Sequence, residues 1–319
     1  MVKYVISPQS LMKVLCLLIL TLAAFVAVRP QEPASIDKVL VEARKQTIAY
    51  REAFANLVGD ELKTCVRFNG RGEIKKRSTV RSELLVYQSG KSNGSAELRV
   101  VFEVDGKPVP DAKRRSEKLL EELSKTTTSI TELDKLQRES TRYDKSTNIY
   151  GVTLNQATVL SPNLRGAIRF ETAGTDLIDG RPVFVVKYLQ TRPDPLIAFN
   201  PSRETGAYIT INTNLPKQTS PDQLRLRGTL WVDRDTYQIR REVRDVIIDT
   251  DGSQPLLSSL LDYTVSDFGI LLPKRIAFVF NDVERKDGRL TVTSKITADF
   301  EYSKFRRTNV EITITDSDS

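Results

Sequence analysis

The sequence has no histidine, two cysteines and a single tryptophan among its 319 residues. Without histidine, the serine and cysteine nucleophile systems that depend on a histidine base are excluded, and zinc and copper sites lose their most common ligand. Cys16 lies in an apolar N-terminal run, so Cys65 has no second cysteine nearby in the rest of the chain with which to form a disulfide. A lone cysteine of this kind favours a small buried apolar side chain. We therefore expect no metal site and no cofactor.

Residues 1–30 differ in composition from the rest of the chain. Lys13 precedes an almost continuous apolar run over residues 14–28, which Arg29 and Pro30 end. The run is shorter than the roughly 20 residues that span a bilayer, and it is typical of the apolar region of a secretory signal peptide. The sequence therefore predicts a protein exported to the periplasm. Residues 1–30 are either a cleaved signal peptide or a retained anchor in the inner membrane.

The charges give little support to a nucleic-acid partner. The chain carries 48 basic and 41 acidic residues, a formal net charge of +7, and three of the basic residues lie in the N-terminal segment. The basic stretches at 74–81, 113–118 and 304–307 are short and far apart in the sequence, whereas nucleic-acid binding needs a concentrated basic face. We expect these stretches to be solvated surface and predict no nucleic-acid partner.

Residues 31–315 are predicted to form a single domain that is mainly β with some α. Apolar residues at helical spacing predict a first helix over 35–61, with Ser35 as N-cap and Gly59 as C-terminal stop. The period then changes to two, with turns at 69–70, 105–106 and 179–180. An inserted helical segment is predicted at about 111–145, and residues 316–319 form an acidic tail.

A long sheet with one apolar face must cover that face. Because few helices are available, we predict a curved antiparallel sheet that forms an incomplete β-barrel with a helical lid, a shape that encloses an apolar cavity. For any single strand residue, plain core packing is the alternative interpretation. The candidate cavity-lining residues, which recur at spacing two, are Ile168, Phe170, Phe184, Val186, Tyr188, Ile209, Ile211, Leu230, Val232, Ile276, Phe278 and Phe280.

One pair of carboxylates, Asp233 and Asp235, raises the question of catalysis. Glycosidase-type chemistry needs two carboxylates on opposite sides of a cleft. Here Arg234 lies between them and favours the ionised form of both, and Asp-rich stretches between two strands are typical of turns. We predict a hairpin turn with its arginines facing water, no catalytic residue and no enzyme. Trp231 faces away from its apolar neighbours, either towards the lid or outwards.

The C-terminal half resembles a known family. "RGTLWVDRDTYQIRREV" followed by "LDYTVSDFGILLPKRIAF" is similar to the bacterial lipoprotein-carrier and outer-membrane lipoprotein-sorting superfamily (LolA/LolB-like), over roughly residues 150–315 and the first helix. The resemblance implies an unclosed β-barrel with a helical lid over a hydrophobic cavity that binds an acyl chain or a lipidated partner. Residues 60–150 and the longer loops depart from the small carriers of that family. The matching positions are Gly228, Leu230, Trp231, Val232, Asp233, Tyr263, Phe268, Gly269, Leu272 and Pro273.

Three functions are left open by the residues and the resemblance together. The first is an exported binding protein that holds an apolar ligand, a lipid or a lipidated protein segment in the half-barrel, with lipoprotein transport in the cell envelope as its role. Its membrane contact would be transient or through an uncleaved N-terminus. The alternative is a periplasmic sensor or adaptor that binds another envelope protein. The third is a hydrolase that uses carboxylates alone, which would need two converging acids with raised pKa values in a cleft.

Overall fold

The computed structural model describes residues 35–54, 57–88, 95–112, 153–154, 156–201, 209–249, 254–286 and 289–307, with residues 114, 115, 117, 118, 121, 143 and 207. The predicted signal peptide or anchor, the acidic tail and most of the predicted helical segment at about 111–145 lie outside the described residues. Of that segment, residues 112, 114, 115, 117, 118 and 121 are helical. Within the described part of the chain, no helix has the length and hydropathy needed to cross a bilayer.

The first helix, α1, runs over Ile36–Phe54. Ser35 caps it as predicted: its Oγ accepts a hydrogen bond from the Lys38 N–H at 3.4 Å. The predicted continuation to Gly59 is wrong, because β1 already begins at Leu57. A Cβ atom at residue 59 would lie 2.6 Å from the ring of Phe305. The glycine therefore serves close packing within the sheet and does not end a helix.

The strands follow the change of period that the sequence indicates. Within the described part of the chain, eleven strands form one antiparallel sheet in the order β4-β3-β2-β1-β13-β12-β11-β10-β9-β6-β5, and two more, β7 and β8, form a small parallel pair. The strand bounds are β1 Leu57–Phe68, β2 Ile74–Gln88, β3 Ser95–Val104, β4 Lys107–Pro108, β5 Ile168–Ile178, β6 Arg181–Gln190, β7 Ile197–Phe199, β8 Ile209–Ile211, β9 Leu224–Asp233, β10 Ile239–Ile248, β11 Leu257–Val265, β12 Leu271–Lys286 and β13 Arg289–Arg307.

Two of the predicted turns are two-residue hairpins with both residues in the left-handed region. Asp105 and Gly106 have φ values of 50° and 76°, and Asp179 and Gly180 have φ values of 50° and 74°. Aspartate followed by glycine is the favoured sequence for such turns, because their twist matches that of the strands. Both turns lie where the sequence predicts them.

The sheet is curved and unclosed, and α1 lies against its inner face. Two hydrophobic clusters fill that face. The larger one, the main cluster, takes Val39 and Ala43 from α1 and side chains from β5, β6, β9 and β10. The smaller cluster takes Tyr50 and Phe54 from the end of α1 and side chains from β1, β2 and β11–β13. The predicted fold class, an incomplete antiparallel barrel with a helix, is confirmed.

Candidate functional site on the inner face

The register of the sheet decides which predicted lining residues share a face, because directly opposed residues of antiparallel strands point to the same side. Six of the predicted residues oppose one another in three pairs, and three more oppose residues of β11. The large sheet therefore brings these nine to one face, whereas Ile209 and Ile211 lie on β8 in the separate two-stranded sheet. The opposed pairs are Phe170–Tyr188, Val186–Leu230, Phe184–Val232, Leu261–Ile276, Ser259–Phe278 and Leu257–Phe280.

Burial divides the twelve predicted lining residues into two groups. Eight are buried, and their contacts within the clusters are those of core packing: Ile168, Phe184, Val186, Tyr188, Ile209, Leu230, Val232 and Ile276. The other four are half-buried and pack at the margin of the main cluster: Phe170, Ile211, Phe278 and Phe280. That any of the twelve contacts a ligand stays a prediction.

A patch of half-buried apolar side chains lies where β12 and β13 face the loop before β9. Phe278 and Phe280 stack there with ring centroids 6.1 Å apart, and Ile296 lies directly opposite Phe280. The loop is held to β12 because the Asn214 side-chain amide donates a hydrogen bond to the carboxylate of Asp282. We name this patch the apolar mouth; its residues are Leu215, Phe278, Phe280, Leu290, Val292 and Ile296.

The described residues 153–154 and 156–160, here named the strap, contact both clusters on the inner face. At its start, the carboxylate of Glu97 on β3 accepts hydrogen bonds from the N–H and the hydroxyl of Thr153, both at 2.7 Å. Four residues later, the carboxylate of Glu242 on β10 accepts a hydrogen bond from the Ala157 N–H at 2.8 Å. Leu154 belongs to the smaller cluster and Ala157 to the main cluster. The strap therefore contributes side chains to both clusters and is held by a glutamate from each of two distant strands.

A buried arginine stabilises the first of these glutamates. Arg99 donates hydrogen bonds to Glu61 at 2.7 and 2.9 Å and to Glu97 at 2.9 Å. Burial alone would lower the pKa of Arg99, but the charges of the two glutamates outweigh it and raise that pKa well above its usual value. Arg99 therefore stays charged in the interior, and the three side chains form a buried structural network in which both carboxylates accept its hydrogen bonds.

The second network is centred on Glu242. Arg244 donates to Glu242 at 2.8 and 3.0 Å, and the Tyr188 hydroxyl donates to the same carboxylate oxygen at 3.0 Å. Burial, followed by the charge of Glu242, raises the pKa of Tyr188 well above its usual value. Neither network was predicted from the sequence. Their signal was a Glu and an Arg two residues apart on one strand face, as at Glu97 and Arg99.

Asp233 and Asp235 form a hairpin turn, as predicted, with a different arginine as partner. Arg181 donates to Asp233 at 2.6 and 3.3 Å, and the N–H groups of Asp235 and Thr236 each donate to it at 3.0 Å. Burial raises the pKa of Asp233, but these hydrogen bonds outweigh burial and lower the pKa to about 2. Asp233 is therefore ionised at neutral pH and cannot act as a general acid.

Trp231 lies on the outer face of the sheet, which settles the alternative left by the sequence. Its indole N–H donates to Asp176 at 3.2 Å, and the guanidinium of Arg241 lies 5.8 Å from its ring centroid.

The prediction that the arginines of residues 224–243 all face water is wrong for two of them. Arg225 and Arg240 are 8% and 4% exposed, because each contacts an aspartate and the surrounding strands cover its stem.

Two open depressions lie away from the apolar mouth. One, of about 360 Å³, surrounds Gly228 and is lined by charged side chains of the outer face such as Lys187 and Arg227. The other, of about 410 Å³, lies beside the proline-rich loop and is lined by Ile197, Phe199 and several prolines. Over the described ranges, no three Cys, Asp or Glu side chains are grouped so that they could hold a metal ion.

Comparison with known proteins gives a likeness of fold at low identity. No family model matches the chain, and no curated protein matches it. A putative outer membrane lipoprotein-sorting protein domain from Vibrio parahaemolyticus is 11% identical, with a TM-score of 0.40, over 86% of this chain and 94% of that one. A DUF1329 family protein from Desulfovibrio piger is 10% identical, with a TM-score of 0.32, over 86% and 93% of the two chains. The lipoprotein LppX from Mycobacterium tuberculosis is 11% identical, with a TM-score of 0.25, over 87% and 100%. At these TM-scores and identities the likeness carries no argument about what the chain binds.

Proposed function

We propose that this chain is an exported, periplasmic binding protein that holds an apolar ligand at the inner face of its half-barrel. The ligand is a lipid acyl chain or the lipid of a lipidated protein segment, and transfer of such a ligand within the cell envelope is the role. The observation that carries the proposal is the apolar mouth. Five of its six side chains pack against the buried main cluster and the sixth, Ile296, lies opposite Phe280, yet all six are only half-buried.

The energetics favour an aliphatic chain as the occupant. Apolar surface left in contact with water costs about 25 cal/mol per Å², and each methylene that becomes buried against it gains about 0.8 kcal/mol. An acyl chain of a dozen methylenes can therefore bind tightly without any polar contact. The two stacked phenylalanines, Phe278 and Phe280, offer flat surfaces along which such a chain can lie.

We assign the ligand to the mouth and not to the whole predicted lining. The buried members of that set, such as Val186 and Leu230, are 0% exposed and already contact one another in the core. A ligand among them would first have to separate packed side chains. In a close-packed interior the free energy lost in this way exceeds the free energy gained from contacts with the ligand. At the mouth the apolar surface is already accessible.

A charge placed in the mouth tests the proposal. We expect Phe280→Glu to weaken binding of the fluorescent apolar probe N-phenyl-1-naphthylamine at least about tenfold, because a carboxylate must lose water when the probe covers it. The matched control is Phe268→Glu, which changes a phenylalanine that is 40% exposed in the turn between β11 and β12. Circular dichroism checks that both variants fold.

Probe titration of the exported protein is to be combined with native mass spectrometry for copurified lipid. Saturable binding that Phe280→Glu weakens and Phe268→Glu leaves intact supports the proposal. Equal losses in the two variants would contradict it, since the probe would then bind elsewhere. A lipid-free mass together with no probe binding in the wild type would also contradict it and would favour an adaptor.

A further inference from the structure

The hairpin that joins β1 and β2 concentrates positive charge. Residues 67–77 contain five basic residues and one acidic residue. All five cations are exposed, and so is the acid, Glu73, whose carboxylate accepts a hydrogen bond from the Asn69 amide at 2.7 Å. We name these residues the basic hairpin; its cations are Arg67, Arg71, Lys75, Lys76 and Arg77.

On neighbouring strands, by contrast, surface cations form salt bridges with aspartates. Arg275 pairs with Asp299 at 2.5 Å, Arg241 with Asp262 at 2.6 Å, and Lys304 with Asp60 at 2.9 Å. Among the residues that the structure describes, no salt bridge to a cation of the basic hairpin is found. The cations of the hairpin are therefore available to bind an anionic partner.

A solvent-exposed isoleucine lies among these cations. Ile74, the first residue of β2, is 61% exposed, and Lys75, Lys76 and Arg77 follow it directly. An exposed β-branched apolar side chain beside a run of cations combines the two forces that bind peripheral proteins to anionic membranes. A nucleic acid uses the cations but gains nothing comparable from the isoleucine.

The basic hairpin lies beside the apolar mouth. A Cβ atom at Gly70 would lie 2.7 Å from the Thr293 carbonyl oxygen, so the tip of the hairpin packs on the backbone of β13 next to Val292. On the inner face, Lys76 is directly opposite Arg67, and Arg67 is directly opposite Ile296. Two of the five cations, Lys76 and Arg67, therefore continue the row of Ile296 across neighbouring strands, and Lys75 and Arg77 extend the positive charge to the other face of the same hairpin.

We propose that the basic hairpin docks this protein on a bilayer that contains anionic phospholipid, with the cations at the headgroups and Ile74 among the upper parts of the acyl chains. Docking at this hairpin turns the apolar mouth towards the membrane. The cations and Ile74 act without a ligand in the mouth, so this docking stands independently of the proposed function.

Vesicle cosedimentation tests the docking. The exported protein is mixed with vesicles of 30 mol % phosphatidylglycerol in phosphatidylcholine, or of pure phosphatidylcholine, at low and at high NaCl. Each Lys or Arg near an anionic surface strengthens binding about fivefold. The triple variant Lys75→Gln/Lys76→Gln/Arg77→Gln is therefore expected to bind the anionic vesicles about 100-fold more weakly at low salt.

The matched control removes three exposed cations of β12 and β13 that lie at the opposite end of the sheet from the hairpin: Lys274→Gln/Lys304→Gln/Arg306→Gln. It has the same net charge as the hairpin variant, and the exposed salt bridges that it breaks contribute little stability. We expect this control to bind within about twofold of wild type. For Ile74→Ser we expect about tenfold weaker binding, whereas Leu177→Ser, at a site 65% exposed, should have no effect.

Three results would overturn the docking. One is wild-type binding that is equal for neutral and anionic vesicles. Another is an equal loss in the two triple variants, which would mean that net charge alone is responsible. The third is binding to short double-stranded DNA that depends on the hairpin cations while vesicle binding does not. The N-terminal residues are the same in every variant, so differences between variants report on the hairpin.

Discussion

Replacing Asp233 by asparagine removes a negative charge from the inside of the β9–β10 turn. The carboxylate accepts two hydrogen bonds from Arg181 and one each from the N–H groups of Asp235 and Thr236. Asparagine keeps the shape and one acceptor oxygen, but it loses the charge that makes these bonds strong. We therefore expect Asp233→Asn to fold and to be less stable at neutral pH.

The magnitude follows from the lowered pKa of Asp233. A carboxyl group whose pKa falls from 3.8 to about 2 on folding stabilises the folded state by about 2 kcal/mol above pH 5, at 1.36 kcal/mol per pKa unit. This contribution is present above the pKa of the unfolded chain and is lost as the pH falls from 3.8 towards 2. Wild type and Asp233→Asn should therefore differ by about 2 kcal/mol at pH 7 and converge near pH 2.

Urea unfolding at a series of pH values measures this difference. Far-UV circular dichroism follows the whole sheet, and the fluorescence of Trp231, the only tryptophan, follows strand β9. Asp235→Asn is the control, because the Asp235 side chain is 75% exposed and lies 3.7 Å from Arg181; it should cost less than about 0.5 kcal/mol. The turn would not depend on the charge of Asp233 if both variants lowered the free energy of unfolding equally. The same would follow if the difference between wild type and Asp233→Asn stayed unchanged at pH 2.

Two further substitutions test packing and buried charge. Glu242→Ala leaves the buried charge of Arg244 without its carboxylate and should cost about 3–5 kcal/mol in the free energy of unfolding; a cost under about 1 kcal/mol would mean that the network is not structural. Gly59→Ala places a methyl group 2.6 Å from the Phe305 ring and should cost about 1–3 kcal/mol, measured by urea unfolding. An unchanged unfolding midpoint would show that the ring moves aside freely.

The turns and strands were predictable because their signals are local. Asp105-Gly106 and Asp179-Gly180 adopt positive φ values that few other residue pairs tolerate, and the strands beside them alternate in polarity. The end of α1 was not predictable in the same way. Residues 57 and 58 continue the apolar spacing of the helix, and the reason for Gly59 is Phe305, a residue near the other end of the chain.

The candidate site was predictable only in part. Phe278 and Phe280 belong to a clear strand pattern, and the structure leaves both half-buried at the mouth. Leu215 comes from an irregular loop, and its position depends on the contact between Asn214 and Asp282, which no spacing indicates. Glu97 and Glu242 are likewise ordinary surface-type residues in the sequence, yet both are buried, and each accepts a hydrogen bond from the strap, a contact that no spacing indicates.

The strap joins two strands that are far apart in the sheet order. Glu97 on β3 and Glu242 on β10 are six strand spacings apart in the sheet order, which is about 29 Å measured along the curved sheet. The residues they hold, Thr153 and Ala157, are separated by a segment that can extend to at most about 14 Å. The reach of this span and of the two glutamate side chains therefore limits how far β3 and β10 can move apart. Beyond that reach, a buried hydrogen bond at one end of the strap must break.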